Sequence, residues 1–175
     1  MIQNPVGIDY PIQEMQCLFM DKLWEGVSND KKRFYHRVFK NPKDGIIRPE
    51  VFTEIGNNYK EVKFDKRLTV LSWFDVAETA EDYKIGQNSK SVGIFFAVNL
   101  SELYPNLSHR AVEESHADAI RVVQKLQRHF KRPYDILERE LAYGDFDTSN
   151  LKGYNMHPWH VFRINCECTY TLKCK

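Results

Sequence analysis

The sequence predicts an α+β fold in one domain. A mostly antiparallel sheet of four or five strands packs on a long helix over residues 108–130, with a second helix near the N-terminus. Three observations carry this. Residues 67–76 and 91–100 are apolar, β-branched runs separated by a polar stretch, the pattern of a long hairpin. Residues 160–172 alternate strictly between apolar and polar. Residues 108–130 instead repeat their apolar positions at helical spacing. A chain of 175 residues buries roughly 70% of its unfolded surface, enough for one core without staples.

The first helix starts at Tyr10-Pro11, with Asp9 near its cap and Pro11 in its first turn. Ile12, Met15, Phe19 and Leu23 form its apolar stripe, which fades before Gly26. Arg33 to Phe39 is aromatic enough for a strand. Asn41-Pro42 and Asp44-Gly45 then turn the chain, and Pro49 keeps the extended stretch Ile46 to Phe52 on an edge or out of a ladder. In the hairpin, Leu68, Val70, Phe74 and Val76 share one face, with Ser72 between them, while Thr69, Leu71 and Trp73 share the other. Val92, Ile94, Phe96, Val98 and Leu100 oppose Gly93, Phe95 and Ala97, so both faces of this strand are apolar and it is central.

Ser108 is placed to cap the long helix, whose stripe is Val112, Ala119, Ile120, Val123, Leu126 and Phe130. Its acids lie early and its bases late, in the sense the helix dipole favours. On this reading Ile120→Asp costs about 3 kcal/mol. Pro133 ends the helix, and residues 134–146 form a strand after a short entry. In the last strand Phe162, Ile164, Cys166, Cys168, Tyr170 and Leu172 face inward, and Arg163, Asn165, Glu167, Thr169 and Thr171 face out. Long loops are expected at about 40–66, 77–90 and 147–159.

The net charge of +1 conceals bands. Residues 1–30 hold five acids and one base, and residues 31–67 hold eleven bases and five acids. Residues 121–133 hold five bases and no acid, and residues 134–149 hold five acids and one base. Such bands suit a solvated surface, or patches that meet opposite patches on neighbouring subunits. The neutral sum argues against a protein that coats nucleic acid. The basic, aromatic run Lys31 to Lys40 reads as an amphipathic strand with exposed cations, with base stacking as its alternative. No apolar stretch is long enough to span a bilayer, and the start of the chain lacks the pattern of a secretory signal.

No chemistry stands out. Cys166-x-Cys168 within a strand has the wrong spacing for a zinc knuckle with Cys174, His157 and His160, so the cysteines read as reduced core thiols. His116 lies at the edge of the helix stripe, and a local bond to Glu113 explains it. Phosphate-loop, dinucleotide and nucleophile-elbow motifs are absent. The expectation is no catalytic residue, no metal and no cofactor.

The order of elements resembles that of the tail terminator, or tail completion, proteins of long-tailed bacteriophages, the group that includes the lambda minor tail protein U. The corresponding stretches are Ile12–Leu23, Phe34–Phe52, Leu68–Leu100, Ser108–Phe130 and Leu141–Leu172. The resemblance is one of topology and pattern, without a short diagnostic motif. It implies a structural virion protein that closes into a homo-oligomeric ring, commonly a hexamer, at the head-proximal end of the tail. Its partners would be copies of itself, the tail tube protein and the head–tail connector, with DNA passing through the lumen without specific binding. It would assemble in the host cytoplasm. Tyr83, Lys84, Lys90, Lys152, Tyr154 and Trp159, in the long polar loops, are then candidate subunit or partner contacts. Another connector, neck or baseplate subunit, a small enzyme, or a nucleic-acid-binding module are the alternatives.

Overall fold

The computed structural model describes residues 3–53, 58–79, 81–84, 86–147, 154 and 156–172. Its elements are α1 (Asp9–Lys22), β1 (Lys32–Lys43), β2 (Ile46–Thr53), β3 (Asn58–Glu61), β4 (Val70–Val76), β5 (Glu81–Lys84), β6 (Gln87–Asn99), α2 (Leu100–Leu103), α3 (Val112–Val123), β7 (Phe130–Glu138) and β8 (Trp159–Tyr170). The α+β architecture is as expected, but the sheet has eight strands where four or five were expected. The order is β3-β2-β1-β4-β6-β8-β7, with β5 also paired to β6. Every pairing is antiparallel except that of β1 with β4, which is parallel.

The extra strands come out of two of the expected loops. Asp44 and Gly45 both have positive φ, 53° and 76°, the requirement of a tight hairpin turn, and they fold β2 back on β1. β3 covers the second half of the outer edge of β2, pairing with Glu50 to Thr53. Pro49 is thereby one strand in from the edge. Its carbonyl accepts from the Val62 amide just beyond the short β3, so its missing N–H faces a place with no ladder to complete. β5 and the start of β6 likewise build a hairpin across the expected 77–90 loop.

Two cores sandwich the sheet. On one face α1 and α3 cover Val70 and Phe74 of β4, Val92 to Val98 at alternate positions of β6, and Phe162, Ile164, Cys166 and Cys168 of β8. Phe19 of α1 sits at the centre, stacked on Phe74 at 5.6–6.0 Å from the rings of Phe34 and Phe74. A phenylalanine fully withdrawn from water contributes about 1.5–3 kcal/mol. On the other face lie Leu71, Trp73, Phe95, Ala97 and Val161. Among the described residues no long helix covers this face: Tyr143, Phe146, Tyr154 and Phe64 cluster around Trp73 and Phe95, whose rings stack at 3.7 Å. The alternation read from the sequence assigns the side chains within β4, β6 and β8 to their cores, but it fails just outside them: Leu68, ahead of β4, joins the second core, and Leu172, past the end of β8, is exposed.

The long helix is shorter than expected. α3 spans 12 residues, begins at Val112 with Ala111 before it, and takes no cap from Ser108. A 3₁₀ turn at Gln124–Leu126 ends it. Thr169 donates its amide to the His129 carbonyl, and Phe130 then pairs with Cys168, so strand pairing takes over before Pro133 is reached. Pro133 instead sits at a register irregularity of β7, where no ladder donor is needed. Phe130 enters the core from a strand, and Ile120 is only partly buried. Residues 139–143, expected to continue a strand, form a 3₁₀ turn.

The charge bands meet one another inside the chain. Arg37 reaches Asp9 at 3.8 Å, Arg128 reaches Glu14 at 2.5 Å, and Lys40 reaches Asp145 at 2.9 Å. Each pair joins a basic band to an acidic one. Exposed pairs of this kind contribute about 0–1 kcal/mol each. The bands therefore have an intramolecular use as well as any between subunits.

Candidate functional site

The alternation of β8 places His160 on the same face as Phe162, and the helical repeat of α3 places His116 in phase with Ala119 and Val123. These two faces meet. The imidazole Nε2 atoms of His116 and His160 are 2.9 Å apart, and both residues are buried. Glu138, the last residue of β7, pairs in register with Phe162 and so lies on the same face. Its Oε1 is 3.6 Å from His116 Nε2, and its side chain is 42% exposed. One donor atom from each of the three lies within 4.8 Å of the others. Phe162 forms the floor, with its ring 4.6 Å from that of His116 and stacked 5.4 Å from that of His160.

Burial sets the protonation. It pushes His160 down to about 3, helped by His116, Arg110 and Arg139. It also pushes His116 below the ordinary histidine range, against the opposing pull of Glu138 and Glu113. Both rings are therefore neutral at pH 7. Two neutral rings meeting at Nε2 share one proton donor between them, so one donates and the other accepts. The cluster can hold a proton in a fixed place, or offer two imidazole nitrogens and one carboxylate oxygen to a cation. Beside it runs a groove of about 520 Å³ lined by Glu138, Arg139, Glu140 and Leu141. Arg139 holds a left-handed φ of 52° there.

Sequence reasoning treated His116 as a core histidine bonded to Glu113 and His160 as part of a discounted cysteine set. Cys166 and Cys168 in fact face the first core as free thiols, and burial pushes Cys166 up to about 12 and Cys168 higher still. Thiols so far from ionising are packing groups. Cys174 lies outside the described residues. The signal that could have found the cluster is the phase of each histidine: both continue an apolar face, and apolar faces meet.

The candidate contact residues divide. Tyr154 and Trp159, placed in a polar loop by sequence, are buried in the second core with their rings 4.7 Å apart. Their aromatic surface packs on Phe64 and the second face of the sheet. Tyr83 and Lys84 belong to the backbone of β5. Lys90 is partly buried in β6 and donates to the Glu78 carbonyl at 2.8 Å. Lys152 lies outside the described residues. The basic run 31–40 is largely engaged: Lys32 is buried on the Leu23 carbonyl, Lys31 pairs with Glu102, and Arg37 covers the Phe39 ring at 4.5 Å.

A surface that sequence reasoning did not single out is the wing formed by β2, β3 and the end of β1. Among the described residues, the first core takes only Phe34 from β1 and nothing from β2 or β3. On that uncovered face Tyr59 stands between Phe39 and Phe52, with rings 5.2 and 5.4 Å away, and Phe52 and Tyr59 are 37% and 40% exposed. Comparison with protein-family models, with curated proteins and with solved structures gave no match. Among the described residues, no helix is long and apolar enough to cross a membrane.

Proposed function

We propose that this chain is a structural subunit that closes into a ring with copies of itself at the head-proximal end of a phage tail. In that place it ends growth of the tail tube and joins the tail to the head–tail connector, while DNA passes through the lumen. The observation that carries the reading is the aromatic wing of β2 and β3, an open sheet edge that extends beyond the helical layer with Phe52 and Tyr59 exposed. A closed ring needs one patch on each copy to meet a different patch on the next. Exposed apolar side chains supply such unlike patches: the wing, Val6 and Tyr10 beside the start of α1, and Leu141 with Met156. The element order read from the sequence, which resembles that of tail terminators, also supports this role.

The test is the mass of the purified chain by light scattering, alone and mixed with tail-tube protein. The expected result is a sixfold-scale ring in one or both, lost in a Phe52→Asp/Tyr59→Asp variant that keeps its circular dichroism. A strict monomer under both conditions overturns the proposal. So does a monomer that binds single-stranded nucleic acid with a steep salt dependence.

A further inference from the structure

We propose that His116, Glu138 and His160 form a binding site for a divalent transition-metal ion of the zinc class. The three donors come from α3, β7 and β8, and the pairings Glu138 with Phe162 and His160 with Val98 fix two of them on adjacent strands. Tetrahedral zinc with bonds of about 2.1 Å holds its ligand atoms roughly 3.4 Å apart. The separations here are 2.9 Å between the two Nε2 atoms and 3.6 Å from His116 Nε2 to Glu138 Oε1, which bracket that value. The third separation, from His160 to Glu138, is within 4.8 Å, and a shift of the half-exposed Glu138 side chain brings the three atoms around one centre.

The carboxylate is the telling group. At 3.6 Å it is too far for a hydrogen bond to His116, yet it lies within 4.8 Å of a ring nitrogen of each histidine. An ion among the three groups accepts all three donors, whereas a proton serves only the two histidines. Two imidazoles and one carboxylate suit zinc and its neighbours, and do not suit magnesium or calcium, which prefer all-oxygen sets. Glu138 and Glu113, facing His116, offset Arg110 and Arg139, facing His160. Arg110 is itself tied to the Trp159 carbonyl at 3.0 Å. Three protein ligands leave a fourth position, and the half-exposed Glu138 turns it toward the groove lined by residues 138–141. Bound there, the ion would pin α3 to the β7–β8 edge. This site is independent of the ring reading, since every ligand comes from one chain.

The experiment uses the full chain after chelator treatment and dialysis. Zn²⁺ is titrated calorimetrically, and Co²⁺ is titrated by visible absorption. The expected result is one ion per chain, a higher Tm with Zn²⁺, and a tetrahedral Co²⁺ spectrum without thiolate charge-transfer bands. Glu138→Gln, half-exposed and so compatible with folding, weakens binding by roughly tenfold or more. His160→Gln abolishes it. Absence of Zn²⁺ binding to the folded chain overturns the proposal. So does binding that Glu138→Gln and His160→Gln both leave intact, or a Co²⁺ spectrum with thiolate bands, which assigns the ion to the cysteines.

Discussion

Replacing Arg163 by methionine removes the cation from a buried ion pair that spans three strands. Arg163 of β8 crosses over Gly93 of β6 to reach Asp75 of β4, with Nη1 at 2.8 Å from Oδ2. Its Nε donates to Asn165 at 2.7 Å. A Cβ on Gly93 would overlap the guanidinium, and one on Gly144, which closes over it from above, would press on Nη1. The Asp75 side chain is only 5% exposed, and Lys40 at 3.5 Å is its other cation. Breaking a buried pair from one side costs about 3–5 kcal/mol, and the remaining Lys40 places Arg163→Met at about 3. Asp75→Asn leaves a guanidinium that is less deeply buried and keeps Asn165, so about 2 kcal/mol is expected. The double variant has no unpaired charge between these two positions and should cost about 3, well under the sum. With a urea slope of about 2 kcal/mol/M, Arg163→Met lowers the midpoint by about 1.5 M. Gly93→Ala gives an independent sign: alanine in a strand normally stabilises by about 0.5–1 kcal/mol over glycine, and here it should destabilise. A cycle in which the two single costs simply add, or a stabilised Gly93→Ala, refutes the account of this pair.

The histidine cluster predicts a pH response in chelator-treated protein. The folded-state values of His116 and His160 lie below the unfolded value of about 6.5. The unfolded chain therefore takes up protons that the native state excludes, and stability falls as pH drops below that value. His160 alone, at about 3 when folded, should cost about 2 kcal/mol by pH 5. His36, also lowered by burial, adds in the same direction. Urea midpoints at pH 7.5 and 5 measure this, and a slope unchanged in His160→Gln counts against it. On α3, Val123 is fully buried and Ile120 is not. Val123→Asp should therefore cost about 3 kcal/mol or more while Ile120→Asp costs about 1–2, read as midpoint shifts. Equal shifts would mean that α3 is rotated from its stated facing.

Local pattern was enough for the elements whose side chains divide cleanly between faces. α1, β4, β6 and β8 could be read because each residue's neighbours two or four positions away share its environment. The same local rules misread residues 108–130. Phe130 fits a helical stripe as well as it fits a strand, and only its pairing with Cys168 chooses between them. β2 was legible as an extended stretch, but β3 and β5 were hidden because short polar strands owe their conformation to a partner's backbone, which no window of sequence contains. Tyr154 and Trp159 were misplaced for a related reason: a polar stretch can still supply aromatic side chains to a core.

The class of fold, the two apolar faces of the sheet and the absence of familiar catalytic motifs could all be read along the chain, because they depend on periodicity and on short spacings. The tertiary structure decided what the charges and histidines do. It joined the acidic and basic bands across the chain, gave Arg163 its passage over Gly93, and brought His116, Glu138 and His160 together from three elements. Charge and coordination act through space over a few ångströms, and strand register and helix packing set which residues, distant in sequence, come that close.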